Sequence, residues 1–121
     1  MITGIGLDIT ELDRIARLDS KSEKFRNRIL TTEEHRHYQQ LSSQRRTEFL
    51  AGRFAAKEAY AKALGTGIGP DCSFLDIAIL PNEKGAPILY FNNQPVDGFV
   101  SITHTQTVAA AQVILQKTER I

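Results

Sequence analysis

Apolar residues recur at two different spacings along the chain, and the change of spacing divides it into a helical part and a strand part. In the first half they recur every three or four residues, as on an amphipathic helix; Leu50, Phe54, Ala61 and Leu64 form one such series. From residue 74 onward they form short blocks typical of strands, and a similar block covers Ile2–Ile9. The pattern therefore predicts one strand, then helices, then several strands.

Local end signals predict where the helices begin and end. Thr10 is placed to cap a helix that runs to about Leu18. Thr31 and Glu34 match a capping box and should begin a helix that ends near Leu41. Two more helical segments are predicted at Glu23–Leu30 and Gln44–Leu64, the second closed by Gly65.

The second half predicts strands separated by turn-forming residues. The strands are expected at Phe74–Leu80, Pro87–Phe91, Val100–Thr105 and Val108–Leu115, with turn clusters at Pro81–Gly85 and Asn92–Pro95 and a hairpin connection at His104–Thr107. Helices early and strands late predict an α+β fold with a mainly antiparallel sheet packed against the long helix, not a βαβ repeat. No linker or internal repeat is visible, so residues 1–121 are interpreted as a single domain.

Composition narrows the classes of function. A chain of 121 residues with 41% hydrophobic residues fits one compact domain, which is too small to enclose a large ligand without a subunit interface. A net charge of +1 argues against a general nucleic-acid binder. The single Cys72, the absence of a signal-peptide pattern and the absence of an apolar run of about 20 residues predict a cytoplasmic protein without a membrane role.

Three charged residues, Asp8, Glu58 and Lys62, are candidates for a functional site because of their positions in the predicted elements. Glu58 falls about 40° from Phe54 around the helix, inside the apolar arc, where a carboxylate needs a partner, a metal or a function. Lys62 follows one turn later, so an ordinary surface pair with Glu58 is the alternative. Asp8 ends the first strand, where it could also serve only as a helix-start signal.

Taken together, two carboxylates and a lysine suggest phosphate chemistry. Mg²⁺ is usually held by one or two carboxylates, waters and substrate phosphate oxygens, a set that Asp8 and Glu58 could begin. Lys62 could then neutralise charge on a phosphate or protonate a leaving group. The Gly65–Gly69 loop is most simply a helix cap and turn, and its amides could alternatively form a small anion nest.

A series of basic residues marks the segment that follows the first strand. If the helix there continues, they form one face beside Phe25: Arg14, Arg17, Lys21, Lys24 and Arg28. The face is either simply solvated or a docking surface for an acidic helical partner. Residues 10–28 carry six basic residues against four acidic ones (Glu11, Asp13, Asp19 and Glu23). This excess of positive charge is too small for a nucleic-acid-binding surface.

At this point the sequence resembles a known family. The matching segments are Gly4–Ile9, Phe49–Ala59, Gly65–Gly69 and Ser101–Thr105, in the same order and over almost the whole chain. They closely resemble the bacterial holo-[acyl-carrier-protein] synthases, the small class of 4′-phosphopantetheinyl transferases. The resemblance implies that the phosphopantetheine arm of coenzyme A moves to a serine of apo acyl carrier protein, in support of fatty acid biosynthesis, and leaves adenosine 3′,5′-bisphosphate.

The resemblance also implies residue roles. Asp8 and Glu58 would hold Mg²⁺, or Mn²⁺, and Glu58 or a metal-bound water that it orients would accept the serine proton. Lys62 would stabilise or protonate the departing phosphate, so the catalytic set is Asp8, Glu58 and Lys62. Coenzyme A contacts are expected from Arg53, Lys57, Lys62, Gly65, His104 and Thr105, and carrier-protein docking from Arg14, Arg17, Lys21, Lys24, Phe25 and Arg28. The family's small members are homotrimers with active sites between subunits.

Two alternatives to a transferase follow from the same residues. A non-catalytic module would bind coenzyme A or a nucleotide with a metal but show no turnover. A structural α+β subunit would use Glu58 and Lys62 as a surface pair and Asp8 as a cap, and their loss would cost at most about 1 kcal/mol.

Overall fold

The computed structural model describes residues 1–118, and it divides them into four helices and six strands with one short 3₁₀ turn. In chain order these are β1 (Ile2–Glu11), α1 (Leu12–Lys21), α2 (Glu23–Ile29), α3 (Thr32–Gln39), α4 (Ser43–Leu64), the 3₁₀ turn (Phe74–Asp76), β2 (Ile77–Pro81), β3 (Pro87–Phe91), β4 (Gln94–Pro95), β5 (Gly98–His104) and β6 (Val108–Gln116). The α+β prediction is confirmed.

The strands form two antiparallel sheets rather than one. One sheet has the order β1-β6-β5 and the other β2-β3-β4. The predicted hairpin between β5 and β6 is present, closed by the Thr105 amide donating to the Val108 carbonyl at 2.8 Å. Asn92 and Asn93 were predicted as a turn; both have positive φ, and this two-residue turn pairs β3 with the short β4.

Helix α4 lies across the first sheet with its backbone almost against β1. A Cβ on Gly6 would stand 1.8 Å from the Ala59 carbonyl oxygen, and one on Gly4 would stand 2.1 Å from that of Ala63. Glycine on the strand and alanine on the helix are therefore what allow this approach. It brings the end of β1 beside the last two turns of α4.

Helix ends follow the predicted signals in most places. Thr31 and Glu34 form the expected capping box, and Gly65 ends α4 with a left-handed φ of 87°. The prediction for Thr10 is wrong: it belongs to β1, and Glu11 precedes α1 without a side-chain cap. Its hydroxyl instead donates to Asp8 at 3.0 Å, a partner two residues away on the strand.

Two predicted segments are interrupted. The basic segment breaks at Ser22, whose extended backbone separates α1 from α2 and whose hydroxyl caps α2 by accepting from the Lys24 amide at 3.1 Å. The predicted strand at Phe74–Leu80 begins with the 3₁₀ turn, because Asp76 accepts a hydrogen bond from the Ser73 amide and curls the chain. Among residues 1–118, none of the helices combines the length and the apolar character that crossing a bilayer requires.

Candidate active site

The carboxylate of Asp8 lies between two side chains that hold it in place. The Lys62 ammonium donates to Asp8 Oδ1 at 3.0 Å and to the Leu7 carbonyl at 3.1 Å, and the Thr10 hydroxyl donates to Asp8 Oδ2. The Asp8 side chain keeps only 15% of its exposure, whereas that of Lys62 keeps 51%. The lysine thus reaches across from α4 to β1 instead of pairing along its own helix.

Glu58 lies one turn before Lys62 and close enough to Asp8 for their charges to oppose each other. Burial raises the pKa of Glu58, and the negative charge of Asp8 raises it further, while Lys62 and Arg14 act in the opposite direction. A carboxyl group whose ionisation is disfavoured by a neighbouring carboxylate provides a place where a cation lowers the energy. The residues therefore fit a divalent ion.

The donor set also limits which ion fits. Among residues 1–118, no cluster of three or more histidine, cysteine or acidic side chains is positioned to hold a metal. Two carboxylates with open positions suit Mg²⁺ or Mn²⁺, whose remaining ligands are waters and phosphate oxygens, and do not suit a structural zinc.

The buried charge on α4 is Lys57, not Glu58. Its ammonium is fully enclosed and donates to Glu34 Oε1 at 2.6 Å and to the carbonyls of Ile29 and Phe74 at 2.6 and 3.1 Å. All three protons of the ammonium are therefore used inside the protein. The expectation that Lys57 contacts coenzyme A is corrected on this ground: no donor remains for a phosphate, and the group does not reach the surface.

Arg53 and His104 lie in a separate cleft between α4 and β5. The cleft has a volume of about 260 Å³, and its wall also includes Arg45, Glu48 and Phe49. The Arg53 guanidinium lies over the Phe49 ring at 4.3 Å and donates to the Ile79 carbonyl at 3.2 Å. His104 Nδ1 lies 3.6 Å from Glu48 Oε2.

The cleft is lined by two arginines, and Arg53, one of them, also has a buried nitrogen without a hydrogen bond within residues 1–118. Arg53 Nε is buried without a partner in the described part of the chain, and burial lowers the pKa of this guanidinium. A group desolvated in this way gains from an anionic partner. Arg45, which sequence reasoning missed, adds a second cation; its spacing eight residues before Arg53, on the same side of a helix, was the available signal.

Within residues 1–118, the two groups of residues lie on different sides of α4. Asp8, Glu58 and Lys62 do not line the Arg53 cleft. Arg53 and Glu58 are five residues apart on α4, which places them about 140° apart around the helix. A single chain therefore presents two part-sites: an acidic one beside β1 and a basic one beside β5.

The remaining candidate residues are exposed, except for Phe25. Gly65 opens the loop after α4, three residues beyond Lys62, and a Cβ there would meet no atom of residues 1–118 within 4 Å. The Thr105 hydroxyl accepts from the amides of Thr107 and Val108, so it shapes the hairpin turn next to His104. The five basic residues of the predicted docking face are exposed, on two helices rather than one, and Phe25 packs half-buried against Phe54 at 6.0 Å between ring centres.

Comparison with known proteins defines the class. A family model described as the 4′-phosphopantetheinyl transferase superfamily matches residues 4–115. The chain therefore belongs to that superfamily.

Its full-length relatives narrow the assignment. The chain is 56% identical over 117 residues to a holo-[acyl-carrier-protein] synthase of Geobacillus sp. (strain WCH70), covering 97% of this chain and 98% of that one, and 52% identical over 118 residues to the Bacillus subtilis enzyme of that name, with the same coverages. It is similar to the crystal structure of the Bacillus anthracis protein in complex with CoA (3′,5′-ADP), with a TM-score of 0.86, 48% identity and coverages of 98% and 99%. The Neisseria meningitidis structure gives a TM-score of 0.87 at 36% identity, with coverages of 97% and 100%. Within the superfamily, the chain belongs to the holo-[acyl-carrier-protein] synthases.

Proposed function

We propose that this protein transfers the 4′-phosphopantetheine group of coenzyme A to a serine of apo acyl carrier protein and so supports fatty acid biosynthesis. The observation that carries the proposal is the convergence of Asp8, Glu58 and Lys62 from two elements in a chain of this family. The products are holo acyl carrier protein and adenosine 3′,5′-bisphosphate.

In the proposed reaction one bond forms and one breaks at the same phosphorus. The serine oxygen bonds to the phosphorus that carries pantetheine, and the bond from that phosphorus to the bridging oxygen of the pyrophosphate breaks. Glu58, or a metal-bound water that it orients, accepts the serine proton. Lys62 stabilises the negative charge that the leaving phosphate acquires.

The metal would be held by Asp8 and Glu58. When bound, Mg²⁺ supplies Lewis-acid neutralisation of the pyrophosphate charge. Thr10 and Lys62 position Asp8 through the hydrogen bonds to its two oxygens. No covalent enzyme intermediate is needed, which agrees with the absence of a nucleophile motif in the sequence.

Coenzyme A binding is assigned to both part-sites. Lys62 and Gly65 would contact it beside the metal, and Arg53, His104 and Thr105 would contact it at the cleft. Because the part-sites lie on different sides of α4, we propose that the ligand bridges two neighbouring subunits of a homotrimer. Exposed apolar side chains on the outer face of the first sheet support association.

The acidic carrier protein would dock on the basic residues of α1 and α2. All five basic residues of this face are exposed: Arg14, Arg17, Lys21, Lys24 and Arg28. The charge of Arg14 lowers the pKa of Glu58, which supports docking with the Arg14 end of the face near the proposed metal ligands. The reaction is placed in the cytoplasm, and the free, buried thiol of Cys72 is consistent with a reducing compartment.

The test is the intact mass of apo acyl carrier protein after incubation with this protein, coenzyme A and Mg²⁺. We expect a gain of roughly 340 Da that disappears with a chelator and in Asp8→Ala and Glu58→Gln variants. Coenzyme A binding without any mass gain on acyl or peptidyl carrier proteins would instead favour the non-catalytic binding module. Undiminished transfer by both variants would remove the proposed site.

A further inference from the structure

The buried pair Lys57–Glu34 lies beside Arg53, and the three charges are coupled. Glu34 Oε2 accepts from the Ile79 amide at 2.8 Å, and the carbonyl of that same residue accepts from Arg53. The charge of Glu34 also acts directly on Arg53, and the charge of Arg53 acts on Lys57. One carboxylate thus stands between two buried or half-buried cations.

Glu34 forms its ion pair with Lys57 rather than with Arg53. Its Oε1 accepts from the Lys57 ammonium and from the Thr31 amide, and its Oε2 accepts from the Ile79 amide, so the hydrogen bonds found for it among residues 1–118 go to Lys57 and to backbone groups. Within residues 1–118, Arg53 is bonded in this network only to a carbonyl, and its buried Nε has no partner. The cluster carries two positive charges and one negative charge. Since Lys57 pairs with Glu34, the excess positive charge is that of Arg53, in the wall of the cleft.

We infer that Lys57 is a positioning residue for coenzyme A binding: by satisfying Glu34, it leaves the Arg53 guanidinium free to receive a phosphate. This inference rests on the proposed function. Without Lys57, the nearest counter-ion for the buried Glu34 carboxylate is Arg53. Arg53 would turn inward to pair with Glu34 and would no longer bind the phosphate of coenzyme A. Glu34 and Lys57 themselves touch no ligand.

This role makes a prediction that neither a direct contact nor a purely structural role makes. Lys57→Met should weaken coenzyme A binding at least about tenfold, because the charge facing the ligand is now cancelled by Glu34. The double variant Glu34→Gln with Lys57→Met should bind coenzyme A within about threefold of wild type, because the net charge near Arg53 is again positive and the glutamine oxygen still accepts from the Ile79 amide.

The experiment is calorimetric titration of coenzyme A with Mg²⁺ into full-length wild type, Lys57→Met, the double variant and Arg53→Met. Ile15→Val serves as a control for core destabilisation, since Ile15 is fully buried in α1, and thermal unfolding is recorded for each variant. Rescue by the double variant supports the inference. If the double variant binds as weakly as Arg53→Met, Lys57 acts by contact or scaffolding and the inference is wrong.

The design keeps its two premises separate. If Lys57→Met does not fold, the double variant still decides the matter, because it leaves no buried carboxylate without a counter-ion. The wild-type mass assay is run in parallel: absence of transfer there contradicts the proposed function, whereas normal transfer without rescue contradicts only the role of Lys57.

Discussion

Lys57 and Glu58 are neighbours in the sequence but have opposite environments. The Lys57 ammonium has every proton bonded inside the core, while Glu58 stays half-buried with its charge opposed by Asp8. The first residue is stabilised where it is, and the second has no equivalent partner. A fully buried, paired charge and a half-buried, opposed charge on α4 are therefore separated by a single position, which corresponds to about 100° of rotation.

The raised pKa of Glu58 makes a prediction about stability. Folding favours its neutral form, so the associated stability is present below the usual pKa of 4.5 and is lost as pH rises through the higher folded-state value. Without metal, Glu58→Gln should therefore be more stable than wild type at about pH 7, and the difference should shrink toward pH 4. Thermal unfolding of both proteins across this range measures the effect.

Added Mg²⁺ tests whether the Glu58 carboxylate binds a metal ion. Because the ion competes with protons, it should raise the melting temperature of wild type at neutral pH, less so near pH 4, and not that of Glu58→Gln. Equal stabilisation of both proteins by Mg²⁺ would show that the ion binds elsewhere.

At the scale of elements, the contact between β1 and α4 determines whether Asp8 can lie beside Glu58 and Lys62. An alanine at Gly6 would place its Cβ 1.8 Å from the Ala59 carbonyl oxygen, so the strand would have to move away from the helix. Gly6→Ala should cost about 1–3 kcal/mol of unfolding free energy. It should also lower transfer activity, because Asp8 lies two residues further along the same strand. Urea unfolding and the mass assay measure the two effects.

Gly69→Ala is the matched control for that substitution. Its Cβ would meet no atom within 4 Å, so its stability should change by no more than about 0.5 kcal/mol. Equal stability of Gly6→Ala and Gly69→Ala would mean that the close approach of β1 and α4 does not exist in solution.

Most elements could be predicted because their signals are local. The capping box at Thr31 and the glycine that ends α4 are short-range patterns, and the structure confirms both. The Lys57–Glu34 bond joins residues 23 positions apart, and no local spacing reveals it. The wrong prediction for Thr10 has a related cause, because a threonine before a helix resembles an N-cap. Only the structure shows that its hydroxyl donates a hydrogen bond to Asp8 instead.

The break at Ser22 makes the basic face a two-helix surface, which leads to a prediction for docking. Arg28→Glu, on α2, should raise the KM for the carrier protein about tenfold at low salt, with kcat and the KM for coenzyme A nearly unchanged. The increase should shrink as salt screens the charges. Steady-state kinetics at two ionic strengths provide the measurement, and Lys84→Glu, an exposed charge in the β2–β3 turn, is the control. A similar increase for both variants would argue against a specific face.

At the scale of the whole molecule, the two faces of the first sheet differ. Helix α4 covers the inner face, whereas the outer face is apolar and exposed. Ile5, Ile114 and Phe99 form one row across the three strands, and Ile5 and Phe99 remain 58% and 62% exposed. Leu7 and Ile9 continue this face along β1. Such a surface is costly in water and is typical of a subunit interface.

Disrupting that face should separate the subunits and stop the reaction. Ile5→Glu is expected to shift the mass measured by light scattering from a trimer to a monomer and to abolish transfer, because the two part-sites of one chain do not meet. Leu75→Glu changes an equally apolar residue, 52% exposed, away from this sheet, and should leave the assembly intact. A monomeric Ile5→Glu that retains full activity would contradict the shared site.

Mixing two inactive chains tests the shared site most directly. Glu58→Gln removes the acidic part-site and keeps the basic one, and Arg53→Glu does the reverse. If each active site takes Glu58 from one subunit and Arg53 from its neighbour, co-expression in equal amounts should leave roughly one quarter of the sites with both intact residues, since each half is correct half of the time. Transfer activity should return to about that fraction of wild type, measured on the mixed oligomer after both singly expressed variants are shown to be inactive. Because a site built within one chain would carry a defect in every subunit, the absence of recovery in a mixed trimer would place Glu58 and Arg53 of each site on the same chain.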